Sequence, residues 1–294
     1  MGDIAVLLQA VAALLWPAFA FTLLLVFRPH IADLVRRLKR GKVLGQEIEL
    51  QESLVLLDKS AASVAREVGA LPALSHAQPD AGRLAQEATI HSIITEAGRS
   101  PKAALILLAN ELEKLARDMI ATSGHLAGRS FIPIHEAISE LDRMFGLPRH
   151  VPGSLKFFWD ARNLLVHGKD ASDDDILRAI DSGLTILKAL QAMPREINLV
   201  HDPAATLYHD EALSAAMEGV KGIVLETTAP GGATKSFRVF PTTRTNFKKG
   251  SQVAWEWNME NVTGPAWFRD PETGLSKVAW SSAAEFIGRN LDEL

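Results

Sequence analysis

The sequence predicts a mainly α protein with a small α+β unit at its C-terminus: an N-terminal transmembrane helix, a five-helix bundle and a β-rich C-terminal domain. Three observations carry this prediction. Residues 4–27 contain no charged side chain. Between residues 83 and 195, apolar side chains recur every three to four positions. Beyond Pro203 the pattern changes to short alternating runs around a glycine-rich turn.

The first element, IAVLLQAVAALLWPAFAFTLLLVF, is long enough as a helix to cross the roughly 20-residue hydrocarbon core. Pro17 falls mid-run, where a membrane helix tolerates it. The Met-Gly-Asp start lacks the basic residues of a cleaved signal peptide. Arg28, Arg36, Arg37, Lys39, Arg40 and Lys42 follow the run. They predict a single-pass anchor with its N-terminus outside and the bulk of the chain in the cytoplasm. Ile31, Leu34, Val35 and Leu38 are interleaved with these cations at helical spacing, which suits an anionic membrane surface.

Residues 28–68 are read as a basic juxtamembrane segment and stalk helix, and the Pro- and Gly-containing stretch 69–82 as a linker. Five helices then fill 83–195. Ser100 and Pro101 form a start signal for the second, whose stripe is Leu105, Leu108, Leu112, Leu115 and Met119. The third aligns Ile134, Ile138, Leu141 and Phe145. The fifth opens at Ser172 or Asp173, with acids in its first turn. Residues 196–219 read as a connection. In 220–294, KGIVLET and KSFRVFPT flank a turn, Val253, Trp255 and Trp257 alternate as in a strand, and SAAEFIGRNL reads as a closing helix. Trp255 and Trp257 are either core aromatics or a stacking surface for a ligand, so the partner of this domain stays open.

Several chemistries find no support. The chain has no cysteine, which excludes disulfides and thiolate sites. A net charge of −4 gives no general attraction to nucleic acid. The histidines lack metal-ligand spacing, the Asp173–Asp175 run reads as a helix cap, and no phosphate-binding loop occurs. No cofactor or metal is expected.

One segment stands out: RNLLVHG, residues 162–168. Gly168 suits the left-handed residue after a helix, and His167 the cation-favouring last turn. Extending the stripe Leu155, Phe158, Trp159 by helical steps reaches Arg162, so a guanidinium lies on or beside the apolar face. Such a group needs a partner, a cleft or a seam between proteins. Asn163 and His167, at i and i+4, share a face and are able to bond each other. Arg162 and His167 are about 140° apart on one straight helix. They line a common groove only where two copies of the helix meet.

The pattern R-N-x-x-x-H, carried by Arg162, Asn163 and His167, resembles the signature of HEPN domains. SPKAALILLANELEKLARDMI resembles the second helix of DUF4145-type HEPN-like proteins, with Glu113 at the acidic position. The resemblance covers roughly residues 86–195. It implies a helical bundle that forms a homodimer. It also implies two alternatives: a dimerisation, sensing or interaction module, or a metal-independent endoribonuclease acting on RNA. In the second, Arg162 would stabilise phosphorane charge, His167 would move the proton, Asn163 would orient them, and Glu113 would support Arg162.

Overall fold

The computed structural model describes residues 49–69, 80–167, 171–229 and 234–294. The anchor at 4–27 and the cations Arg28, Arg36, Arg37, Lys39, Arg40 and Lys42 lie outside the described residues, as does Gly168. Among the described residues no helix is long and apolar enough to cross a membrane. The chain divides into a unit over residues 1–52 and a second over 53–294; all that follows concerns the second.

Helix α1 (residues 49–69) buries Leu54, Leu57, Ala61 and Val64, a stripe at three- and four-residue steps. This stripe is covered by the bundle, which corrects the reading of α1 as a separate stalk. Asp58 accepts hydrogen bonds from Arg178 Nη2 at 2.6 Å and from Ser182 Oγ at 3.0 Å. The Ser60 and Ser154 hydroxyls share a hydrogen bond. Glu67 accepts the backbone N–H groups of Arg149 and His150 at the start of another helix, a favourable place for an anion. The proline- and glycine-containing stretch marks the end of a helix. It says nothing about whether that helix packs.

The five expected helices follow. They are α2 (Asp80–Ala97), α3 (Pro101–Thr122), α4 (Ile134–Phe145), α5 (Val151–His167) and α6 (Asp173–Gln191). Ser100 caps α3 by accepting from the N–H of Ala103, with Pro101 in the first turn. Ser172 caps α6 through the N–H of Asp175. Helix α3 is the central helix, in contact with α2, α4, α5 and α6. Mid-helix Gly183 costs α6 helix propensity. It is there because a Cβ would stand 2.5 Å from Phe158 Cε2 and 2.7 Å from Leu108 Cδ2.

The rest of the chain is β. Strands are β1 (Ile197–Ala205), β2 (Leu207–Tyr208), β3 (Lys221–Thr228), β4 (Lys235–Thr242), β5 (Trp257–Thr263), β6 (Ala266–Arg269), β7 (Ser276–Trp280) and β8 (Ala283–Phe286). They form antiparallel sheets in the orders β1-β3-β4, β2-β6-β7 and β5-β8. The hairpin β3–β4 pairs as expected, from Lys221 with Thr242 to Thr228 with Lys235. Strand β3 feeds two cores: Ile223 and Leu225 join Val200, Val253 and Phe286, while Val224 joins Leu207, Phe268 and Trp280.

Two expectations are overturned here. Residues 196–219 are not merely a connection, because β1 and β2 lie within them. Pro203 obscured β1; it sits where the register shifts twice, on an edge strand, where proline costs no ladder bond. The closing segment is strand β8, followed by a short 3₁₀ turn (Leu291–Glu293). Its alanines favour helix, but pairing wins. Phe286 enters the aromatic core opposite Trp257, while Glu285 stands opposite Asn258. Burial would raise the Glu285 titration, yet hydrogen bonds from Thr243, Asn261 and Asn258 outweigh it and hold the carboxyl down at about 2.

Candidate functional site

Helix α5 positions the R-N-x-x-x-H residues. Its N-terminus is held by Glu67 of α1. Leu155, Phe158, Ala161 and Leu165 are fully buried. This fixes the helix rotation and leaves Arg162 half-buried at the border of the apolar face, as helical stepping predicts. The Arg162 Nε is buried and has no hydrogen-bond partner. Its Nη1 donates to the Asn163 side-chain oxygen at 3.0 Å. Asn163 and His167 are exposed, the latter as the last residue of α5.

The chain therefore brings Arg162 to Asn163, and not Asn163 to His167, between which no hydrogen bond forms. Glu113 is exposed on α3 and makes no hydrogen bond or ion pair with Arg162. The expected support of Arg162 by Glu113 is absent within one copy. Among the described residues no group of three or more His, Asp or Glu side chains is placed to hold a metal ion. A groove of about 610 Å³ runs between α1 and α6, lined by Asp58, Ala61, Leu177, Arg178, Asp181 and Ser182. One of its carboxylates, Asp58, is already engaged by Arg178 and Ser182.

Trp255 and Trp257 are half-buried and pack against the core of Val200, Ile223, Leu225, Phe247, Val253 and Phe286. They and Phe240 meet edge to face, at interplanar angles of 88°, 85° and 81° and centroid separations of 4.8–5.5 Å. Rings this close touch one another and leave no slot for a ligand between them. Trp255 also joins the β region to the bundle: its N–H donates to the Ala121 carbonyl at 2.8 Å. Gly124 permits the approach, with φ of +83° and the Trp255 carbonyl oxygen 3.2 Å from where a Cβ would stand.

Sequence reasoning missed the polar clamp beside this contact. Arg289 Nη2 donates to Glu256 Oε1 at 2.6 Å and Nε to Oε2 at 3.0 Å. The same Arg289 donates to the Arg129 carbonyl, and Glu256 accepts from the N–H of Gly128. Glu256 is 9% exposed. The WEW pattern reads as strand alternation, which assigns no role to the acid between the two tryptophans; an acid flanked by aromatics was the available signal. Arg289→Ala strips a buried carboxylate of its partner, and we expect a loss of about 2–3 kcal/mol in urea unfolding.

Compared with known proteins, the chain matches no family model, no curated protein and no solved structure.

Proposed function

We propose that this protein is a membrane-tethered, cytoplasm-facing interaction module whose HEPN-like bundle pairs with a second copy across the C-terminal end of α5. The observation that carries the reading is Arg162. A guanidinium whose Nε is buried and unpartnered, beside exposed Asn163 and His167, is an incomplete polar site. An unpaired buried donor costs about 1–3 kcal/mol, so the guanidinium is held at this border at a cost. The α5 end of a second copy brings acceptors of its own, Asn163 Oδ1 and the His167 ring. The anchor rests on the uncharged run at 4–27, and the orientation on the cations that follow it.

The test is light scattering on the full chain in detergent, with protein mass separated from micelle mass. The expected mass is that of two chains, and Arg162→Glu returns it to one while the melting temperature is retained. A parent that stays single at tens of micromolar contradicts the proposal.

A second reading rests on the R-N-x-x-x-H pattern of Arg162, Asn163 and His167. Pairing across α5 would bring the Arg162 of one copy towards the His167 of the other, as a metal-independent ribonuclease requires. Its test is cleavage of a labelled RNA oligonucleotide in EDTA, lost in a folded, dimeric His167→Ala variant. No cleavage from the parent dimer leaves the interaction module alone standing.

A further inference from the structure

The groove of about 610 Å³ between α1 and α6 has an apolar bed and an acidic rim. Beyond Asp58, its α1 wall is Ala61, Ala62 and Ala65. Its α6 wall runs from Asp174 to Thr185, about three turns of helix or about 17 Å. Long charged side chains cover such a furrow by laying their stems along it. Alanines do not reach that far, and the furrow stays open. Ala62 and Ala65 are exposed, and Leu177 on the opposite lip is 41% exposed. Val55 lies two turns before Ala62 on the same stripe of α1 and is 56% exposed. An exposed apolar strip rimmed by charge is the form of a protein-binding surface.

The rim sets the sign of what fits. Asp58, Asp174 and Asp181 stand against Arg178, an excess of two negative charges. Arg178 Nη2 donates to Asp58 Oδ2 at 2.6 Å, and Ser182 donates to the other Asp58 oxygen, so this pair is spent on joining the two helices. Asp174 and Asp181 are not. Both are exposed, and among the described residues neither carboxylate has an ion pair or a hydrogen bond. They come three residues before and four residues after Leu177, one turn to each side of it on the same face. A single unpaired carboxylate on a helix surface is ordinary. Here two of them bracket an exposed leucine, across from a wall of alanines.

We propose that the α1–α6 groove receives a basic amphipathic helix of a partner protein. The apolar face of the incoming helix lies on Ala61, Ala62, Ala65 and Leu177, and its lysine or arginine side chains reach Asp174 and Asp181. The alanines let its backbone approach closely, and the α6 wall offers it about three turns of contact. Cations seven residues apart on the partner repeat the spacing of Asp174 and Asp181 and meet both acids at once. The same rim repels an acidic helix. The groove is complete within one copy of the chain. It gives the interaction-module reading a partner class, and it does not depend on pairing across α5.

The experiment uses the full chain in a zwitterionic detergent, with alanine and leucine methyl groups labelled for NMR. The probe is a synthetic helix of leucine, alanine and lysine, about four turns long, whose lysines flank a leucine face; its twin carries glutamate in place of lysine. The lysine probe should shift the methyl signals of Ala62, Ala65 and Leu177 in a saturable way, and the glutamate twin should not. Asp174→Asn combined with Asp181→Lys should weaken the lysine probe at least about tenfold. Ala62→Arg, which lays a long cation into the open bed, should abolish the shift at Leu177. Binding should be unchanged in Arg162→Glu, which removes pairing across α5, so failure of the groove and failure of that pairing are separate results. Equal binding of the two probes, shifts that miss these methyl groups, or a lysine probe indifferent to the rim change overturns the proposal.

Discussion

Gly288→Ala is expected to lower the stability of the protein by at least about 3 kcal/mol, the upper range for overpacking. The cause is local and rigid. A Cβ at residue 288 would lie 2.1 Å from the Ala254 carbonyl oxygen and 2.5 Å from Phe286 Cζ. A flexible side-chain end swings away from such a contact at little cost; a backbone carbonyl does not. The strand-like segment around Ala254 is held on both sides, by the Ala254 N–H on the Arg289 carbonyl and the Ile287 N–H on the Glu256 carbonyl. Relief requires β8 to retreat from the aromatic core formed by Phe240, Trp255, Trp257 and Phe286. Differential scanning calorimetry should show a drop of roughly 6–12 °C at this chain size. Gly264→Ala is the control. Nothing lies within 4 Å of its Cβ, and its melting temperature should change by no more than about 2 °C.

The second large effect is Phe158→Ala. Phe158 is completely buried, meets Trp159 edge to face, and packs against the open side of Gly183. Its removal leaves a cavity among α3, α5 and α6, at an expected cost of about 3–5 kcal/mol in urea unfolding. The pair offers a sharper test than the single change. Gly183→Ala in the parent drives a methyl onto Phe158 Cε2. In a Phe158→Leu background the same methyl enters space that the ring has vacated. The cost of Gly183→Ala should therefore be smaller by about 1 kcal/mol or more in that background. Equal costs in both backgrounds would mean that the α5–α6 contact is looser than described.

These two sites also mark where the sequence was legible. The helices α3 and α6 were readable from their starts, because a capping serine and a first-turn proline or acids act locally. The β3–β4 hairpin was readable for the same reason: its two strands and their register are contained in one stretch of chain. Elements whose form is decided by distant residues were not. Strand β8 has the composition of a helix and becomes a strand because Glu285 finds Thr243, Asn258 and Asn261, all far back in the chain. Strand β1 was hidden by Pro203, which an edge position accommodates. Helix α1 was correctly placed as a helix, but its packing depended on partners such as Ser154 and Arg178 that no local pattern reveals.

The candidate site divides along the same line. The half-buried position of Arg162 followed from helical stepping along α5, because the neighbours that decide it are on the same helix. The partner of Arg162 did not. Glu113 occupies the expected position in sequence, yet its side chain points to solvent, and Asn163 takes the guanidinium instead.

The absence of cysteine gives the most direct test of pairing through α5. His167→Cys places a single thiol at the exposed end of that helix, and Ser139→Cys on α4 serves as an exposed control. Each full-length variant is treated with a mild oxidant, and covalent dimer is followed over time on a non-reducing gel. If two copies meet across α5, His167→Cys should cross-link at least about tenfold faster than Ser139→Cys, and Arg162→Glu in the same chain should abolish the difference. Equal rates for the two thiols would contradict pairing at this end of the bundle.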